Sequence, residues 1–229
     1  MFFLEGNIGA GKSTFLSILE RWQPGLSVAR EPLDRWDSSG SASLLTCFMQ
    51  HPTRWGLTLE TYTMLCRIQE AYRLQEIQSD TVIAERSVYS GYNVFARNSY
   101  EQGFLDSLEW AVCKDLFCRL VSNQLIYPQG FIYLQVSPET AFRRVKKRSR
   151  AAEATLALEY LEQLHQQHER FFITEEGRLP DGRSVPVLIL PYDDDFDIAS
   201  SQAEKIAQRV ADFMVAYPQI VQDSVACAA

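Results

Sequence analysis

The sequence predicts an α/β fold in which a five-stranded parallel sheet is flanked by helices. Five short apolar runs alternate with longer segments of helical periodicity, a pattern typical of parallel strands that helices cover on both faces. The 229 residues are 46% hydrophobic and 22% charged, as in an ordinary packed globular protein. Because no repeat and no Pro/Gly/Ser-rich linker divides the chain, we expect a single domain over residues 1–229.

Each expected strand is a short run rich in branched and aromatic residues. In chain order the runs are residues 1–4, 26–29, 81–84, 131–135 and 185–190. Since apolar residues follow one another in these runs, we expect strands that are buried on both faces.

The expected helices are longer segments whose apolar residues recur every three or four positions. They cover residues 12–22, 41–50, 53–78, 87–97, 105–122, 138–147, 156–175 and 199–216. Ser137 as N-cap, Pro138 at the first helical position and Glu139 in the first turn mark the start of the sixth helix. The apolar stripe of the helix over 105–122 predicts core packing or a subunit contact.

Charge and composition exclude several classes of protein. The formal net charge of −7 argues against broad nucleic-acid binding, and no apolar run approaches the roughly 20 residues of a membrane-spanning helix. The N-terminus meets Glu5 without a preceding basic region, unlike a secretory signal. Five scattered cysteines indicate reduced thiols, and we expect His165 and His168 to be solvated on a polar helix. We therefore expect a cytoplasmic protein with no nucleic-acid and no membrane partner.

A glycine-rich loop follows the first expected strand and opens the first expected helix. It matches the phosphate-loop pattern G-x-x-x-x-G-K-[ST] with Gly6, Asn7, Ile8, Gly9, Ala10, Gly11, Lys12 and Ser13. Glycines let successive backbone N–H groups converge on phosphate oxygens, the lysine adds a positive charge, and the serine hydroxyl can ligate Mg²⁺. The loop therefore predicts that a triphosphate binds here.

Charged residues follow the second and third expected strands, at the sheet edge where parallel strands face a ligand. Glu31 could accept a hydroxyl proton there, or it could be an ordinary surface acid. Glu85 could hold Mg²⁺ and Arg86 could bridge phosphates, or the two could form an ion pair that caps a helix.

A basic cluster lies at the C-terminal end of the sixth expected helix. Residues 143–150 contain six bases and no acid, which leaves 16 bases against 29 acids in the rest of the chain. Taken alone, such a cluster is either a solvated helix end or a clamp for phosphate.

Taken in order, these segments resemble the deoxyribonucleoside kinase family. The resemblance runs along the whole chain and rests on residues 5–14, Glu31-Pro32 with Trp36, Pro52 with Trp55, residues 85–87, residues 137–140, the basic cluster and residues 160–165. It implies a phosphate-loop NTPase fold with a short arginine-rich lid at about residues 143–154. It further implies transfer of the γ-phosphoryl of ATP, with Mg²⁺, to the 5′-hydroxyl of a deoxynucleoside. It favours a homodimer through helices in the region of residues 105–121.

The resemblance also implies a role for each site residue. Glu31 would be the general base, Lys12 and Arg86 would stabilise the transferred phosphoryl group, and Ser13 and Glu85 would serve Mg²⁺. The expected contacts to ATP and its phosphates are the loop from Gly6 through Ser13, then Thr14, Arg144, Arg148, Arg150, Asp195 and Phe196. The expected contacts to the nucleoside are Glu31, Trp36, Met49, Leu59, Glu60, Thr63, Arg67, Arg86, Gly91 and Glu153.

Three positions depart from the family pattern. Glu60 stands where the family usually has a glutamine, and an ionised carboxylate only accepts hydrogen bonds whereas an amide also donates them. Met49 replaces a tyrosine that helps to hold the sugar 3′-hydroxyl, so this contact must depend on Glu153 or an unidentified group. Gly91 replaces a side chain at the base end of the pocket, which predicts room for a larger group.

These departures motivate a hypothesis about the nucleobase. Glu60 and Arg67 lie two turns apart on one helix face. An acceptor-only group suits the N1–H and N2–H₂ of guanine or the N3–H of thymine, while Arg67 could donate to a keto oxygen. We therefore expect guanine or thymine to be preferred over cytosine and adenine. In the alternative, Glu60 and Arg67 pair with each other and a bound water contacts the base.

Two other functions share these motifs. A nucleoside monophosphate kinase of thymidylate-kinase type has the same loop and lid, but it needs a further basic group for the acceptor phosphate. A nucleotide-binding subunit without turnover would keep the fold, although the joint presence of Glu31, Glu85, Arg86 and the lid counts against it.

Overall fold

The fold is built on one sheet of five parallel strands. The computed structural model describes residues 1–31, 43–75, 81–122, 127–150, 153–195 and 197–217. The strands are β1 (Phe2–Gly6), β2 (Ser27–Ala29), β3 (Val82–Glu85), β4 (Gly130–Gln135) and β5 (Val187–Pro191). Their order in the sheet is β2-β3-β1-β4-β5, with all neighbours parallel. The predicted α/β class with a five-stranded parallel sheet is therefore confirmed.

The helices lie where the periodicity predicts them. They are α1 (Lys12–Trp22), α2 (Leu44–Gln50), α3 (Pro52–Gln75), α4 (Val88–Ser90, Gly91–Ala96 and Arg97–Glu101), α5 (Ser107–Ser122), α6 (Pro138–Arg148), α7 (Leu158–Glu169 and Arg170–Thr174) and α8 (Ser201–Ala216). The middle part of α4 and the end of α7 are π-helical, which a 3.6-residue period does not predict. None of the helices in the described ranges combines the length and the apolar character that a membrane span requires.

Several helix starts carry a hydrogen-bonding side-chain cap, but those of α1 and α7 do not. Ser137 accepts a hydrogen bond from the N–H of Thr140 at 3.4 Å, with Pro138 in the first turn, as expected for α6. At the start of α1, by contrast, Gly11 has a left-handed backbone and makes no side-chain cap. The first N–H groups of α1 are therefore available to a ligand.

Side chains alternate between the two faces of the sheet, so both faces carry a core. On β1, Phe3 packs with the cluster under α3, α4, α5 and α7, whereas Phe2 and Leu4 pack with the cluster under α1, α6 and α8. The expected burial holds for β1, β3 and β4, whereas the edge strands β2 and β5 are only partly buried. The charged residues that follow β1, β2 and β3 all lie at the carboxyl edge of the sheet.

His168 corrects one expectation, because it is fully buried and not solvated. It shares a face of α7 with Leu161 and Leu164, and its ring stacks on Tyr133 at 5.8 Å. Its Nδ1 lies 2.7 Å from the carbonyl oxygen of Leu164. Burial keeps the pKa of His168 well below its ordinary value, so the ring is a neutral core residue.

Candidate active site

The phosphate loop is held in shape by close packing and by one buried amide. Gly9 has φ +81°, and a Cβ there would lie 2.3 Å from the carbonyl oxygen of Ala141 in α6. Asn7 donates from Nδ2 to the carbonyl oxygen of Leu161 in α7 at 2.8 Å, and its Oδ1 accepts from the N–H of Ile8. The loop is thus fixed between two helices before any phosphate arrives.

Lys12 points into the curve of this loop. Its Nζ donates to the carbonyl oxygens of Gly6 at 3.2 Å and Asn7 at 3.0 Å, and it lies 4.0 Å from the carboxylate of Glu85. Burial, with a smaller contribution from the charge of Arg86, lowers the pKa of Lys12 to about 7. A phosphate in the loop would supply the negative charge that favours the protonated amine.

Glu31 is a buried carboxylate between two arginines, and not an ordinary surface acid. Arg67 donates from Nη2 to its Oε1 at 2.8 Å, and Arg86 donates from Nε to its Oε2 at 3.1 Å. Burial acts to raise the pKa of Glu31, but the two guanidinium charges and the hydrogen bond from Arg67 outweigh it and hold that pKa below its ordinary value. Glu31 is therefore ionised at neutral pH and can accept a hydrogen bond from a hydroxyl.

Arg86 links Glu31 to the phosphate loop. Its backbone is left-handed, with φ 63°, directly after β3, and its N–H donates to the carbonyl oxygen of Leu4 at 2.9 Å. Its Nη1 donates to the carbonyl oxygen of Gly6 at 3.1 Å, while its Nε donates to Glu31. The alternative in which Arg86 forms a helix-capping pair with Glu85 is therefore not the arrangement found, since Arg86 pairs with Glu31.

A cavity of about 380 Å³ opens at this edge of the sheet. It brings together fifteen predicted site residues: Ile8, Gly9, Lys12, Ser13, Glu31, Met49, Leu59, Glu60, Thr63, Arg67, Glu85, Arg86, Arg148, Arg150 and Glu153. Five further residues line it that the sequence did not single out as contacts: Arg30, Leu45, Phe48, Phe95 and Tyr160. One cavity therefore spans the expected phosphate site and the expected nucleoside site.

Some predicted residues lie elsewhere. Gly6, Asn7, Ala10, Gly11 and Thr14 belong to the loop and the start of α1 but are not among the residues that line the cavity. Asp195 is exposed and pairs with Arg144 at 2.8 Å. Trp36 and Phe196 lie outside the described residues.

Gly91 corrects the prediction of a roomier base pocket. A Cβ at this position would lie 2.7 Å from Nη1 of Arg67. The absent side chain therefore makes space for the Arg67 guanidinium and does not enlarge the cavity. Arg67 in turn hydrogen-bonds to Glu31, while Glu60 hydrogen-bonds to Ser99, so the alternative in which Glu60 and Arg67 hold each other is not the arrangement found.

Glu60 is buried in the wall of the cavity. The Oγ of Ser99 donates to its Oε1 at 2.7 Å. Burial raises the pKa of Glu60 to about 7, against the opposing effects of this hydrogen bond and of the charge on Arg67. Glu60 is thus an acid whose charge changes near neutral pH.

The basic cluster divides into two kinds of arginine. Arg148 donates from Nη2 to both carboxylate oxygens of Glu153, at 2.7 and 2.5 Å, and Arg150 lies 3.8 Å from the same group. Arg144 instead donates to the carbonyl oxygens of Ala10 and Tyr192 and to the side chain of Asp195. Arg148 and Arg150 thus border the cavity, whereas Arg144 ties α6 to the phosphate loop and to the segment after β5.

The oxygen atoms near the loop fit a magnesium ion. The Ser13 hydroxyl and the Glu85 carboxylate line the same cavity. Mg²⁺ is commonly bound through one or two protein oxygens together with phosphate oxygens and water. Within the described ranges, no cluster of three or more His, Cys, Asp or Glu side chains forms a separate metal site.

Comparison with known proteins decides the family. A family model of deoxynucleoside kinases matches residues 2–215. The chain belongs to the deoxynucleoside kinase family. Mitochondrial deoxyguanosine kinase of Xenopus laevis is 34% identical over 233 residues, covering 92% of this chain and 88% of the relative. Deoxycytidine kinase of Homo sapiens is 32% identical over 236 residues, covering 92% and 89%. A probable deoxycytidine kinase of fowlpox virus is 31% identical over 211 residues, covering 92% and 86%.

Three residues that position the site of this deoxynucleoside kinase were missed by sequence reasoning. Glu5 is fully buried and accepts hydrogen bonds from the N–H and the Oγ of Ser87, which fixes the end of β1 against the start of α4. The ring of Phe95 lies 4.7 Å from the guanidinium carbon of Arg86. Ser99 holds Glu60. Glu5 adjoins the phosphate-loop motif, which is a signal, whereas nothing in the local sequence marks Phe95 or Ser99.

Proposed function

We propose that this protein transfers the γ-phosphoryl group of ATP to the 5′-hydroxyl of a deoxyribonucleoside, with residues 1–229 acting as one kinase domain. The observation that carries the proposal is an ionised, buried Glu31 in the same cavity as the phosphate-loop Lys12. A carboxylate that faces the phosphate site is suited to an alcohol acceptor. A nucleoside monophosphate would bring a second phosphate towards this negative charge.

The chemistry follows from the placement of these groups. The acceptor oxygen bonds to the γ-phosphorus, its proton passes to a carboxylate oxygen of Glu31, and the bond from the γ-phosphorus to the bridging oxygen breaks, so that ADP leaves. Because the transition state spreads negative charge over the phosphoryl oxygens, Lys12, Arg86 and the lid arginines stabilise it electrostatically. Most of the acceleration comes from positioning and charge.

In this proposal Ser13 and Glu85 are the residues that would hold Mg²⁺. When bound, the ion neutralises charge on the β- and γ-phosphates. Glu85 lies on the side of the phosphate loop, since its Oε1 is 4.0 Å from Nζ of Lys12.

The nucleoside would occupy the part of the cavity between α3 and the lid. Met49 and Leu59 offer apolar contacts, and Glu153 offers its carboxylate to the sugar 3′-hydroxyl if Arg148 and Arg150 turn to the phosphates. Trp36 and Phe196 keep their proposed roles at the nucleoside and the adenine. The relatives are named for both guanine and cytosine nucleosides, so their names do not decide the base. The carboxylate of Glu60 supports a preference for guanine or thymine.

A substrate panel tests the function. With ATP and Mg²⁺, we expect ADP release that depends on a deoxynucleoside, with deoxyguanosine or thymidine giving the highest kcat/KM. Thymidine 5′-monophosphate is expected to be inert. If the monophosphate were the better acceptor, the protein would be a thymidylate-kinase type enzyme. ATP binding without any nucleoside-dependent ADP release would indicate a non-catalytic subunit.

A homodimer is the proposed assembly, and α5 offers a surface for it. Leu108 is 72% exposed and Val112 is 47% exposed one turn later. By light scattering after gel filtration, we expect a mass about twice the 26.2 kDa of one chain. Leu108→Glu is expected to shift the protein towards the monomer, because a charge cannot be buried there without a partner. Val215→Glu is the matched control, since Val215 is 79% exposed on α8. A dimer that survives Leu108→Glu unchanged contradicts this surface.

The cysteines support a reducing compartment such as the cytoplasm. Cys47, Cys66, Cys113 and Cys118 are free thiols in the described part of the chain.

A further inference from the structure

The hydrogen bond between Ser99 and Glu60 is a feature that the transfer of a phosphoryl group does not require. Ser99 lies in the last part of α4 and is fully buried. Its only side-chain hydrogen bond with the described residues is the one to Oε1 of Glu60, at 2.7 Å. A buried serine and a buried acid therefore meet at the end of the cavity that is assigned to the base.

The geometry separates the two oxygens of the Glu60 carboxyl group. A hydroxyl has one hydrogen to donate, and Ser99 gives it to Oε1, so Oε1 acts as an acceptor. Among the described residues, no hydrogen bond reaches Oε2. The hydroxyl of Thr63 does not compete, because it donates to the backbone carbonyl oxygen of Glu60 at 3.1 Å. Oε2 is therefore the oxygen through which Glu60 can contact a base.

The charge on Glu60 determines what Oε2 can do. When the carboxyl group is ionised, Oε2 accepts a hydrogen bond; when it is protonated on Oε2, that oxygen donates one while Oε1 still accepts from Ser99. Guanine presents N1–H and thymine presents N3–H at the edge that a side chain contacts, whereas cytosine N3 and adenine N1 are acceptors at the same edge.

We propose that Ser99 is a positioning residue that makes Glu60 a proton-dependent selector of the nucleobase. Ionised Glu60 selects guanine or thymine, and protonated Glu60 selects cytosine or adenine. This inference rests on the proposed deoxynucleoside kinase function and extends its base preference. The preference is thereby a property of the pH as well as of the pocket.

The surroundings of Glu60 make it the group that changes charge near neutrality. The side chains whose charges act on it or respond to it are Arg67 on its own helix, Cys113 on α5 and Tyr160 on α7. Burial raises the pKa of Cys113 to about 12 and raises that of Tyr160 well above its ordinary value, so both stay neutral. Burial places the pKa of Glu60 itself at about 7.

The experiment compares two substrates of the same enzyme across pH. We would measure kcat/KM for deoxyguanosine, thymidine and deoxycytidine from about pH 6 to about pH 8.5. The ratio of deoxyguanosine or thymidine to deoxycytidine cancels pH effects that all substrates share, including those on the phosphate site. The ratio is expected to rise by up to about tenfold per pH unit through the titration of Glu60. Its midpoint is the pH at which the two substrates have the same kcat/KM.

Two variants assign the effect to the two residues. Glu60→Gln is expected to give a ratio that favours deoxycytidine more than the wild type does at pH 8 and that does not change with pH. Ser99→Ala removes a hydrogen bond that favours the ionised form, so the midpoint of the ratio is expected to move to higher pH. Ser90→Ala, a matched control, removes a buried hydroxyl of α4 that donates to the Ser87 carbonyl oxygen, and it is expected to leave the midpoint in place.

A binding measurement on the wild type does not depend on whether the variants fold. Calorimetry in two buffers of different ionisation enthalpy near pH 7 counts the protons exchanged on binding. Binding of deoxycytidine is expected to take up a fraction of a proton, and binding of deoxyguanosine is expected to release a fraction of a proton.

The outcomes separate this inference from the function on which it rests. A ratio that stays flat across the pH range in an active wild type, or a midpoint that Ser99→Ala does not move, overturns the inference and leaves the kinase function standing. Failure to phosphorylate any nucleoside at any pH overturns the proposed function instead.

Discussion

Replacing Glu31 by glutamine is expected to lower kcat by about 10² to 10⁴. The amide fills the same space but cannot take the proton of the acceptor hydroxyl. Because Glu31 lies on the acceptor side of Arg86 and not in the phosphate loop, binding of ATP should change modestly. Steady-state kinetics with saturating ATP, together with equilibrium titration of ATP, separates the two effects.

A matched control and a check of folding complete this test. Asp181→Asn changes an exposed acid that pairs with Arg183 at 2.5 Å, and because neither residue lines the cavity, it should leave kcat unaltered. Since Arg67 and Arg86 lose a negative partner in Glu31→Gln, the variant should also melt at a lower temperature, which thermal unfolding records. Unaltered turnover in a folded Glu31→Gln protein would remove Glu31 from the mechanism.

Gly9→Ala is expected to be the most destabilising single-methyl change in the phosphate loop. Its φ of +81° disfavours any side chain, and the added Cβ would lie 2.3 Å from a backbone oxygen of α6. We expect a loss of about 2 to 5 kcal/mol, of which about 1 to 2 comes from the backbone conformation and the remainder from the steric overlap. Because α6 and the loop must separate, ATP affinity should fall at least about tenfold, or 1.4 kcal/mol.

Comparison with Gly103→Ala isolates the steric part of the effect of Gly9→Ala. Gly103 has a similar φ of +73°, but a Cβ there would meet nothing within 4 Å. It should cost only the conformational part, about 1 to 2 kcal/mol. Differential scanning calorimetry and ATP titration of both variants provide the comparison, with about 2 to 4 °C in Tm expected for each kcal/mol. Equal losses in the two proteins would show that the contact between the loop and α6 carries no weight.

The sheet could be predicted from sequence because its signals are local. Consecutive apolar residues mark β1 to β5 to within two residues of the observed bounds, and the glycine-rich loop identifies the junction of β1 and α1. The π-helical parts of α4 and α7 and the burial of His168 were not predicted. His168 is buried because it shares a face of α7 with Leu161 and Leu164 and stacks on Tyr133 of β4, although a histidine by itself does not mark a core position.

The sequence identified which residues belong to the site, but not which of them hydrogen-bond to each other. Motif positions identified Glu31 and Arg86 as neighbours of the substrate, helix spacing identified Arg67, and all three line the cavity. Helix spacing placed Arg67 on the same face as Glu60, yet the guanidinium turns to an acid 36 positions away in sequence. Spacing along one helix shows which side chains share a face, whereas the partner that wins is set by residues that arrive from other elements.

The ionic core of the cavity has a consequence for the lifetime of the protein. Six basic and four acidic side chains line the cavity, so the lining has a surplus of positive charge when all of them are ionised. A bound anion such as a nucleotide offsets this positive charge. A ligand that binds only the folded protein stabilises it, and this stabilisation grows with the logarithm of the ligand concentration. Nucleotide in the cell would then protect this chain from proteolysis, and depletion of nucleotide would speed the degradation of the enzyme.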